Sequence, residues 1–384
     1  MILTNKQEQG LNIAIARYLE HEPFTVISGY AGSGKSTLVQ FIIDALNIDR
    51  DYVAYIAYTG KASLVLQSKG CENATTAHQL LYKAIPRPDG SFYLKVKRPL
   101  DCPYKLIVVD EVSMLPKEMW DLLLSHHIHV IALGDPGQLP PIGEENGVLD
   151  HPHIFLDEIV RQAQESEIIR LTMDIRAGKP LQKMNGSEVM IVDKKDMQEG
   201  MLTWADQIIC GKNITRFNIN DHMRKSRWGT DDHTPIIGDK VVCNHNDWEM
   251  LSVIKNQPLV NGTMGFINSF SNSSIAVPYV GKIQLFQCGI STEDGDNYDP
   301  ILMDAKLFLD HESVVTKQNF RWLKNFSIKP FEYAYCITAH KSQGSEYNKV
   351  LVLEEFLKGN EHKRWLYTAC TRAAEKLVIV RDYR

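Results

Sequence analysis

The chain has 384 residues, more than one compact domain usually contains, so its length predicts at least two domains. Hydrophobic residues make up 44% and charged residues 23%, as in ordinary globular proteins, and the lack of a run of about 18 apolar residues argues against a membrane span. The net charge of −5 leaves the partner undecided, because a local basic groove in an acidic body is enough to hold a nucleic acid.

Short apolar runs near the start of the chain predict buried strands of a parallel sheet that is covered on both faces. These runs occupy residues 24–28, 53–58, 106–109 and 129–133. A helical pattern at 35–46 lies between the first two runs and places Leu38, Phe41, Ile42 and Ala45 on one face. This alternation of strands and helices predicts an α/β domain.

The segment GYAGSGKST at 29–37 matches the phosphate-binding pattern G-x-x-x-x-G-K-[ST] and joins a predicted strand to a predicted helix. Its glycines let backbone N–H groups close around phosphate oxygens, and the helix N-terminus adds positive potential. We expect Lys35 to reach the β- and γ-phosphates and Ser36 to bind Mg²⁺. The predicted nucleotide-binding residues of this loop are Gly29, Gly32, Ser33, Gly34, Lys35, Ser36 and Thr37.

Polar side chains follow the next two predicted strands. Asp110 and Glu111 come directly after the run at 106–109, where Asp110 can hold Mg²⁺ and Glu111 can accept a proton from the attacking water. Gln138 in GDPGQLPP follows the run at 129–133 and can sense the γ-phosphate or orient that water. Because parallel strands end at one edge of a sheet, these groups are predicted to converge on the phosphate loop.

Outside these motifs, the pattern of apolar and turn-forming residues changes from α/β to β-rich and back to α/β. Asp89-Gly90 lies between alternating segments and predicts a hairpin turn. Short β-like runs fill 236–328 (KVVC, GTMGFI, SSIAV and KIQLF) and predict a small barrel. The α/β pattern returns near 330 with FEYAYCITA, KVLVLE, a helix near 362–375 and KLVIV. The middle region is therefore interpreted as an insertion into a second α/β domain.

These motifs, taken in order from residue 3 to about 381, resemble those of the superfamily 1 helicases, specifically the 1B group of RecD-like and Dda-like enzymes. LTNKQ is similar to the adenine-reading Q motif, with Gln7 as the reader, and YTGKAS and TTAHQLL resemble motifs Ia and Ib. LDEIVRQ, ITAHKSQGSEY and LYTACTRA resemble motifs IV, V and VI, and they supply Arg161 and Arg372. Cys370 stands where this last motif often has leucine, a change expected to be neutral.

The resemblance implies an α/β fold with two RecA-like P-loop domains, each built on a parallel sheet. Domain 1A would span 1–165, with a small 1B hairpin insertion at about 83–104. Domain 2A would combine 166–235 with 329–384, and 236–328 would form an SH3-like β-barrel, domain 2B. The implied function is an ATP-dependent DNA helicase that moves 5′ to 3′ along single-stranded DNA and unwinds duplexes.

The resemblance also implies roles for individual residues. Arg161 and Arg372 would stabilise charge on the γ-phosphate when the lobes close, which completes a catalytic set with Lys35, Asp110, Glu111 and Gln138. Motif V would add Gln343, Gly344 and Glu346 to the nucleotide site. Phe92, near the hairpin tip, would stack on the last base pair of the duplex. The expected DNA contacts are Thr59, Lys61, Thr76, His78, Phe92, Thr338, His340 and Lys341.

The expected cofactors are ATP and Mg²⁺, and the expected partners are single-stranded DNA and junctions of single- and double-stranded DNA. RNA remains an alternative track, since phosphate contacts barely sense the 2′-hydroxyl. We expect a monomer that works with replication or recombination proteins. Seven scattered cysteines and the lack of a signal-peptide pattern predict a cytoplasmic protein, in a bacterium or a phage-infected host. A P-loop phosphotransferase and an ATPase that clamps nucleic acid without unwinding it are the competing functions.

Overall fold

A computed structural model describes residues 3–86, 92–140, 146–159, 165–277, 281–293, 295–305, 308, 328–357 and 360–381. These residues form three six-stranded sheets and two separate hairpins. We call the first sheet with its helices the first lobe, the second sheet with its helices the second lobe, and the third sheet the barrel sheet. None of the helices in the described part of the chain is long and apolar enough to cross a bilayer.

The sheet of the first lobe is parallel throughout, with the strand order β3-β2-β6-β7-β1-β8. The strands up to this point are β1 Phe24–Gly29, β2 Val53–Ala57, β3 Ala74–Thr76, β4 Tyr82–Pro86, β5 Phe92–Val96, β6 Leu106–Val109, β7 His129–Gly134 and β8 Ile154–Leu156. The helices are α1 Asn5–Leu19, α2 Lys35–Ala45, α3 Gly60–Ser68, α4 Ala77–Leu81 and α5 Lys117–Leu124. All four predicted strands and the predicted helix are confirmed, and the strands end at one edge.

The buried face of helix α2 differs in part from the predicted one. Leu38 and Ile42 are fully buried as expected, but their neighbours in the core are Val39 and Ile43. Ala45 is exposed instead. The difference arises because α2 packs against both the sheet and α1, so that it buries a wider stripe than one face would.

The predicted hairpin is present between α4 and β6. Strands β4 and β5 pair antiparallel with Tyr82 opposite Val96 and Pro86 opposite Phe92. The predicted turn residues Asp89 and Gly90 lie outside the described residues, which resume with the backbone of Phe92. The hairpin follows α4 directly, and Phe92 lies at the described end of β5.

The second lobe has the strand order β20-β11-β21-β22-β10-β9, parallel except for the edge strand β9. Its strands are β9 Met184–Asn185, β10 Val189–Asp193, β11 Gln207–Cys210, β20 Cys336–Thr338, β21 Tyr347–Leu353 and β22 Ala373–Arg381. Its helices are α6 Glu167–Arg176, α7 Glu199–Trp204, α8 Asn213–Trp228, α9 Ala339–Ser342 and α10 Asn360–Cys370. The helix predicted near 362–375 thus ends earlier, because a turn at residues 371–372 leads directly into β22.

The barrel sheet has the order β18-β17-β16-β15-β12-β19. Its strands are β12 Lys240–Cys243, β15 Met264–Val277, β16 Gly281–Thr292, β17 Asn297–Asp304, β18 Ile328–Lys329 and β19 Phe331–Tyr333, and a hairpin of β13 Asp247–Leu251 and β14 Pro258–Leu259 accompanies it. Only Pro330 separates the two edge strands β18 and β19, so the sheet nearly closes on itself. The predicted barrel character is confirmed.

Two details of the barrel prediction are wrong. Most of GTMGFI and all of SSIAV belong to one long strand, β15, because the polar residues between them face solvent and pair with β16 across a bulge between Ile267 and Ser269. FEYAYCITA is split between sheets: Phe331–Tyr333 pairs with β12 of the barrel sheet, whereas Cys336–Thr338 pairs with β11 of the second lobe. The chain crosses from barrel to lobe within these few residues, which ties the two units together.

A buried ion pair strengthens this junction. Arg224 of α8 and Asp239, which precedes β12, are 2% and 0% exposed, and Nε of the arginine lies 3.1 Å from the carboxylate. The remaining guanidinium N–H groups donate to the carbonyls of Asp232 and Thr234, both at 2.6 Å. Because every buried charge here has its hydrogen bonds satisfied, the barrel sheet is fixed to the second lobe rather than loosely tethered.

Candidate active site and adjoining groove

The phosphate loop connects β1 to α2 at the carboxyl edge of the first sheet. Gly32 and Gly34 have φ values of 75° and 78°, a left-handed conformation that favours glycine. A Cβ on Gly29 would lie 2.8 Å from the carbonyl oxygen of Leu156 in the neighbouring strand β8. The backbone angles and this close approach explain why the motif has glycine at these positions. Helix α2 begins directly after Gly34, so its N-terminus adjoins the loop.

Lys35 lies at the start of α2, and its ammonium closes the loop. Its Nζ donates to the carbonyls of Gly29 and Tyr30 at 2.7 and 3.0 Å. Burial lowers the pKa of Lys35, and the nearby carboxylates of Asp135, Asp110 and Glu111 oppose that shift. The charge is therefore held by acidic neighbours at the place where the sequence predicts phosphate.

Asp110 and Glu111 follow β6 and face the same space. Glu111 has a φ of 49°, uncommon for a residue with a side chain, and its backbone N–H donates to Asp110 Oδ1 at 3.0 Å. Burial raises the pKa of both carboxyls; Lys35 opposes the shift for Asp110, and Arg372 opposes it for Glu111. A carboxylate that is costly to keep charged is suited to accept a proton.

Several predicted residues of both lobes line a cavity of about 460 Å³. Arg372 enters it from the second lobe, where its Nη1 lies 3.7 Å from Glu111 Oε1. The arginine is 7% exposed and also donates to the carbonyls of Thr368 and Ser345, at 3.1 and 3.3 Å. The residues predicted for the nucleotide site that line the cavity are Ser36, Thr37, Asp110, Glu111, Gly344, Glu346 and Arg372. Thr59, which is predicted to contact DNA, lines it as well.

Other predicted nucleotide-site residues make internal contacts. Gln7 donates through Nε2 to the carbonyl of Ser33 at 3.2 Å while its Oε1 accepts from Thr4, so its amide braces the phosphate loop. Gln343 donates to the carbonyl of Leu139 at 3.0 Å, across the two lobes. Gln138 is half-buried in the turn after β7, and Arg161 lies outside the described residues.

Sequence reasoning missed a set of bonds that join the lobes beside the phosphate loop. The hydroxyl of Tyr367 on α10 accepts from the backbone N–H of Ala31 at 3.0 Å and donates to Asp135 at 2.7 Å. Thr368 accepts from the backbone N–H of Leu139 at 2.8 Å. Both residues belong to the motif that contains Arg372 and lie about one helical turn before the arginine. That position is the sequence signal that could have placed them near the nucleotide site.

A second cavity, of about 720 Å³, lies beside the first and is bounded by both lobes and the barrel. Among the residues predicted to contact DNA, those that line this groove are Thr59, Lys61, Thr338, His340 and Lys341. Thr76 and His78 do not line it. Thr76 is buried as the N-cap of α4, and His78 packs near the rings of Tyr58 and Tyr82, where burial lowers its pKa.

Two lysines of the groove, Lys61 and Lys341, are held by neighbours from other units. Lys341 Nζ lies 2.7 Å from Glu332 of β19 and 3.2 Å from the side-chain oxygen of Asn244, so the barrel sheet orients it. Lys61 Nζ lies 4.8 Å above the ring of Tyr347 in the second lobe. Burial lowers the pKa of both lysines. The groove thus has a polar, partly cationic lining supplied by all three units.

Comparisons with known proteins agree with this arrangement. Family models for an AAA domain and for a UvrD-like helicase C-terminal domain match residues 5–193 and 333–380. The ATP-dependent RecD2 DNA helicase of Deinococcus radiodurans is 25% identical over 406 residues, covering 97% of this chain and 49% of the relative. The ATP-dependent DNA helicase dda of phage T4 is 27% identical over 189 residues, covering 46% and 43%.

Among solved structures, the Pif1 helicase from Bacteroides in complex with ADP-AlF3 and single-stranded DNA has the same fold. The TM-score is 0.55 at 18% identity, with 100% of this chain and 94% of that chain covered. In sequence, the chain is thus similar to helicases of superfamily 1B. The chain spans about half the length, 49% and 43%, of the first two curated relatives.

The hydrogen bonds of Tyr367 between the two lobes give a first testable prediction. Tyr367→Phe removes a buried hydrogen bond to a charged acceptor, so we expect the free energy of unfolding to fall by about 1.5–3 kcal/mol. The phosphate loop and the second lobe should also uncouple, which lowers ATP turnover. Thermal melting and ATPase assays test this, with Tyr52→Phe as the matched control on an exposed tyrosine. Wild-type melting and turnover in Tyr367→Phe would show that these hydrogen bonds contribute nothing.

Proposed function

We propose that the protein is an ATP-dependent DNA helicase that moves 5′ to 3′ along single-stranded DNA and unwinds duplexes. The observation that carries this proposal is the adjacency of two sites: a phosphate loop faced by an arginine from the opposite lobe, and a groove bounded by both lobes. A change in lobe closure at the first site necessarily changes the spacing of the groove walls at the second. Helicase names and a strand-bound neighbour among the relatives support the same function.

The residues present fit a nucleoside triphosphate with Mg²⁺. Ser33 is 2% exposed, and its hydroxyl has no hydrogen-bond partner among the described residues, as expected beside an anionic ligand. Ser36 and Asp110 would hold Mg²⁺, which commonly takes only one or two protein oxygens and completes its shell with phosphate and water. When bound, the ion would neutralise charge on the phosphate oxygens.

The chain's own residues would then divide the chemistry. Glu111 accepts a proton from the attacking water, and Lys35 carries positive charge at the phosphate loop. Arg372 balances charge that develops on the transferred phosphoryl group, and it can do so fully only when the second lobe closes. Its present contact with Glu111 at 3.7 Å keeps the arginine at the cleft while both groups remain charged.

We propose domain roles that the observed topology supports. We assign 1–165 to domain 1A and 166–235 with 329–384 to domain 2A, because each contains one of the two parallel sheets. The hairpin within about 83–104 is assigned as the 1B wedge, and 236–328 as an SH3-like 2B domain. The barrel supports this role by reaching the groove: a Cβ on Gly60 of α3 would collide with Val260, so the barrel loop is packed against the first lobe.

The decisive experiment for this function is strand separation. Duplexes with a single-stranded tail at either the 5′ or the 3′ end are mixed with protein and ATP, and release of the labelled strand is followed. We expect release from 5′-tailed duplexes only, with a requirement for hydrolysable ATP. Preferential release from 3′-tailed duplexes would refute the 5′ to 3′ polarity. ATP hydrolysis without any strand release would refute the helicase function and favour an ATPase that holds or moves along the strand without unwinding it.

The hairpin gives a separate prediction. Phe92→Ala should lower unwinding much more than strand-stimulated ATPase, because the nucleotide cleft and the hairpin are different parts of the molecule. An aromatic that stacks on the exposed base pair can offset roughly 1–3 kcal/mol of the opening cost. The matched control is Leu94→Ala, which truncates an exposed side chain two residues further along β5. Equal losses of unwinding and ATPase in Phe92→Ala would show that the residue supports folding instead.

A further inference from the structure

Three aromatic rings form a stack at the carboxyl edge of the second sheet, away from the nucleotide cleft. The rings of Phe356 and His362 lie 5.9 Å apart at 29°, and those of His362 and Trp365 lie 6.1 Å apart at 30°. Trp365 is fully buried, whereas Phe356 is 73% exposed. The stack therefore begins in the core and ends with a large aromatic ring presented to solvent.

The stack is connected to the groove by direct contacts. Glu355 accepts from the backbone N–H groups of Gly211 and Lys212 at 2.6 and 2.8 Å and from the hydroxyl of Thr215 at 2.5 Å. A Cβ on Gly211 would lie 3.3 Å from the indole of Trp365. Since Gly211 itself lines the groove, the exposed ring lies just beyond its wall, one strand further along the sheet edge.

The space beside the stack is cationic. A cavity of about 1110 Å³ is lined by Phe356 and His362 and by more lysines than carboxylates: Lys179, Lys212 and Lys363 against Glu354 and Glu355. Lys212 and Lys363 form no ion pair with a carboxylate within the described part of the chain, whereas Lys179 pairs with Asp174 at 2.6 Å. Two lysines are thus available to contact an anionic ligand.

The acidic residues of the cavity are already engaged. Glu355 caps the N-terminus of α8 through the contacts above, and Glu354 lies 3.3 Å from His362 Nε2. The hydrogen bond to Glu354 raises the pKa of His362, so the middle ring of the stack carries positive charge over a wider pH range. When His362 is charged, it is a cation stacked on one face of the Phe356 ring, which stabilises the position of that ring and leaves its other face open to solvent.

We propose that Phe356 is a base-stacking platform for single-stranded DNA that leaves the groove past Gly211, with Lys212 and Lys363 contacting its phosphates. This inference rests on the proposed function and adds a segment of the strand path on the second lobe. Single-stranded nucleic acid is the occupant whose chemistry matches both features, because it presents a ring face and a negative charge with every nucleotide. Continuity with the groove supplies the path to the platform.

The test measures binding of oligodeoxythymidines of increasing length by fluorescence anisotropy. For wild-type protein, we expect affinity to increase with length as the strand fills the groove, and to increase a second time once the strand is long enough to reach Phe356. Phe356→Ala should lose this additional rise, a reduction of roughly tenfold for long strands. Phe356→Trp should retain it, because tryptophan also stacks. Leu19→Ala, which truncates a side chain of 65% exposure at the end of α1, is the control and should bind as wild type.

The outcomes separate this inference from the proposed function. Failure of the wild-type protein to bind any oligonucleotide would overturn the proposed function and the platform with it. Wild-type binding matched by Phe356→Ala at every length would overturn the platform alone, as would an equal loss at all lengths. Capture of poly-glutamate that Phe356→Ala abolishes, with strand binding unaltered, would instead assign the surface to an acidic protein partner.

Discussion

Glu111→Gln is expected to lower ATP turnover by a factor of roughly 10²–10⁴, the usual contribution of a positioned general base. The amide keeps the shape of the side chain but cannot accept the proton of the attacking water. Nucleotide binding should persist, because the phosphate loop and Lys35 are unchanged. Binding of a fluorescent ATP analogue, measured beside steady-state turnover, separates the two effects.

Companion variants make this result specific. Lys35→Ala should lose nucleotide affinity as well as turnover, because it removes the charge held at the phosphate loop. Glu72→Gln changes an exposed glutamate outside the cavity and should behave as wild type. Turnover by Glu111→Gln at the wild-type rate would remove Glu111 as the base and would point to another acceptor in the cleft.

Arg372→Ala should reduce turnover by roughly 10³ or more, as expected for an arginine that stabilises transition-state charge from across a domain cleft. The residue is nearly buried, and its closest carboxylate is Glu111 of the opposite lobe at 3.7 Å. Arg372→Lys keeps the charge but lacks the planar fork, so we expect it to recover only part of the rate. Stopped-flow hydrolysis with saturating nucleotide measures the chemical step directly.

Truncation of Arg372 also removes hydrogen bonds to the carbonyls of Thr368 and Ser345, so folding must be checked. Thermal melting distinguishes a catalytic loss from an unfolded protein. Arg170→Ala is the matched control, since Arg170 is an exposed arginine on α6 that does not line the cavity. A folded Arg372→Ala protein with turnover near wild type would contradict the proposed role.

The first lobe was predictable because its signals are local. Continuous apolar runs define strands that are buried on both faces, and polar residues after β1, β6 and β7 must share an edge when the strands are parallel. The convergence of Ser36, Asp110 and Glu111 on one cavity follows from that rule. Arg372 could be placed there only through the family resemblance, since its motif lies more than two hundred residues away along the chain.

What the sequence could not reveal depends on packing between distant segments. Phe331–Tyr333 and Cys336–Thr338 read as one strand, because the exchange between sheets is decided by partners in β12 and β11. The bond from Tyr367 to Ala31 joins residues with no common local pattern. The motif resemblance predicts that His78 contacts DNA. In the fold, however, its ring lies between the rings of Tyr58 and Tyr82, which are brought together only by packing.

Coupling between strand binding and ATP hydrolysis is tested by measuring the ATPase rate as single-stranded DNA is added. We predict a low rate without nucleic acid and a severalfold rise that saturates, because a strand in the groove favours lobe closure around Arg372. The concentration of strand needed should increase with salt, since phosphate contacts release counterions. Parallel titrations with duplex DNA and RNA define the track. A rate that saturating single strands leave unchanged would contradict the account.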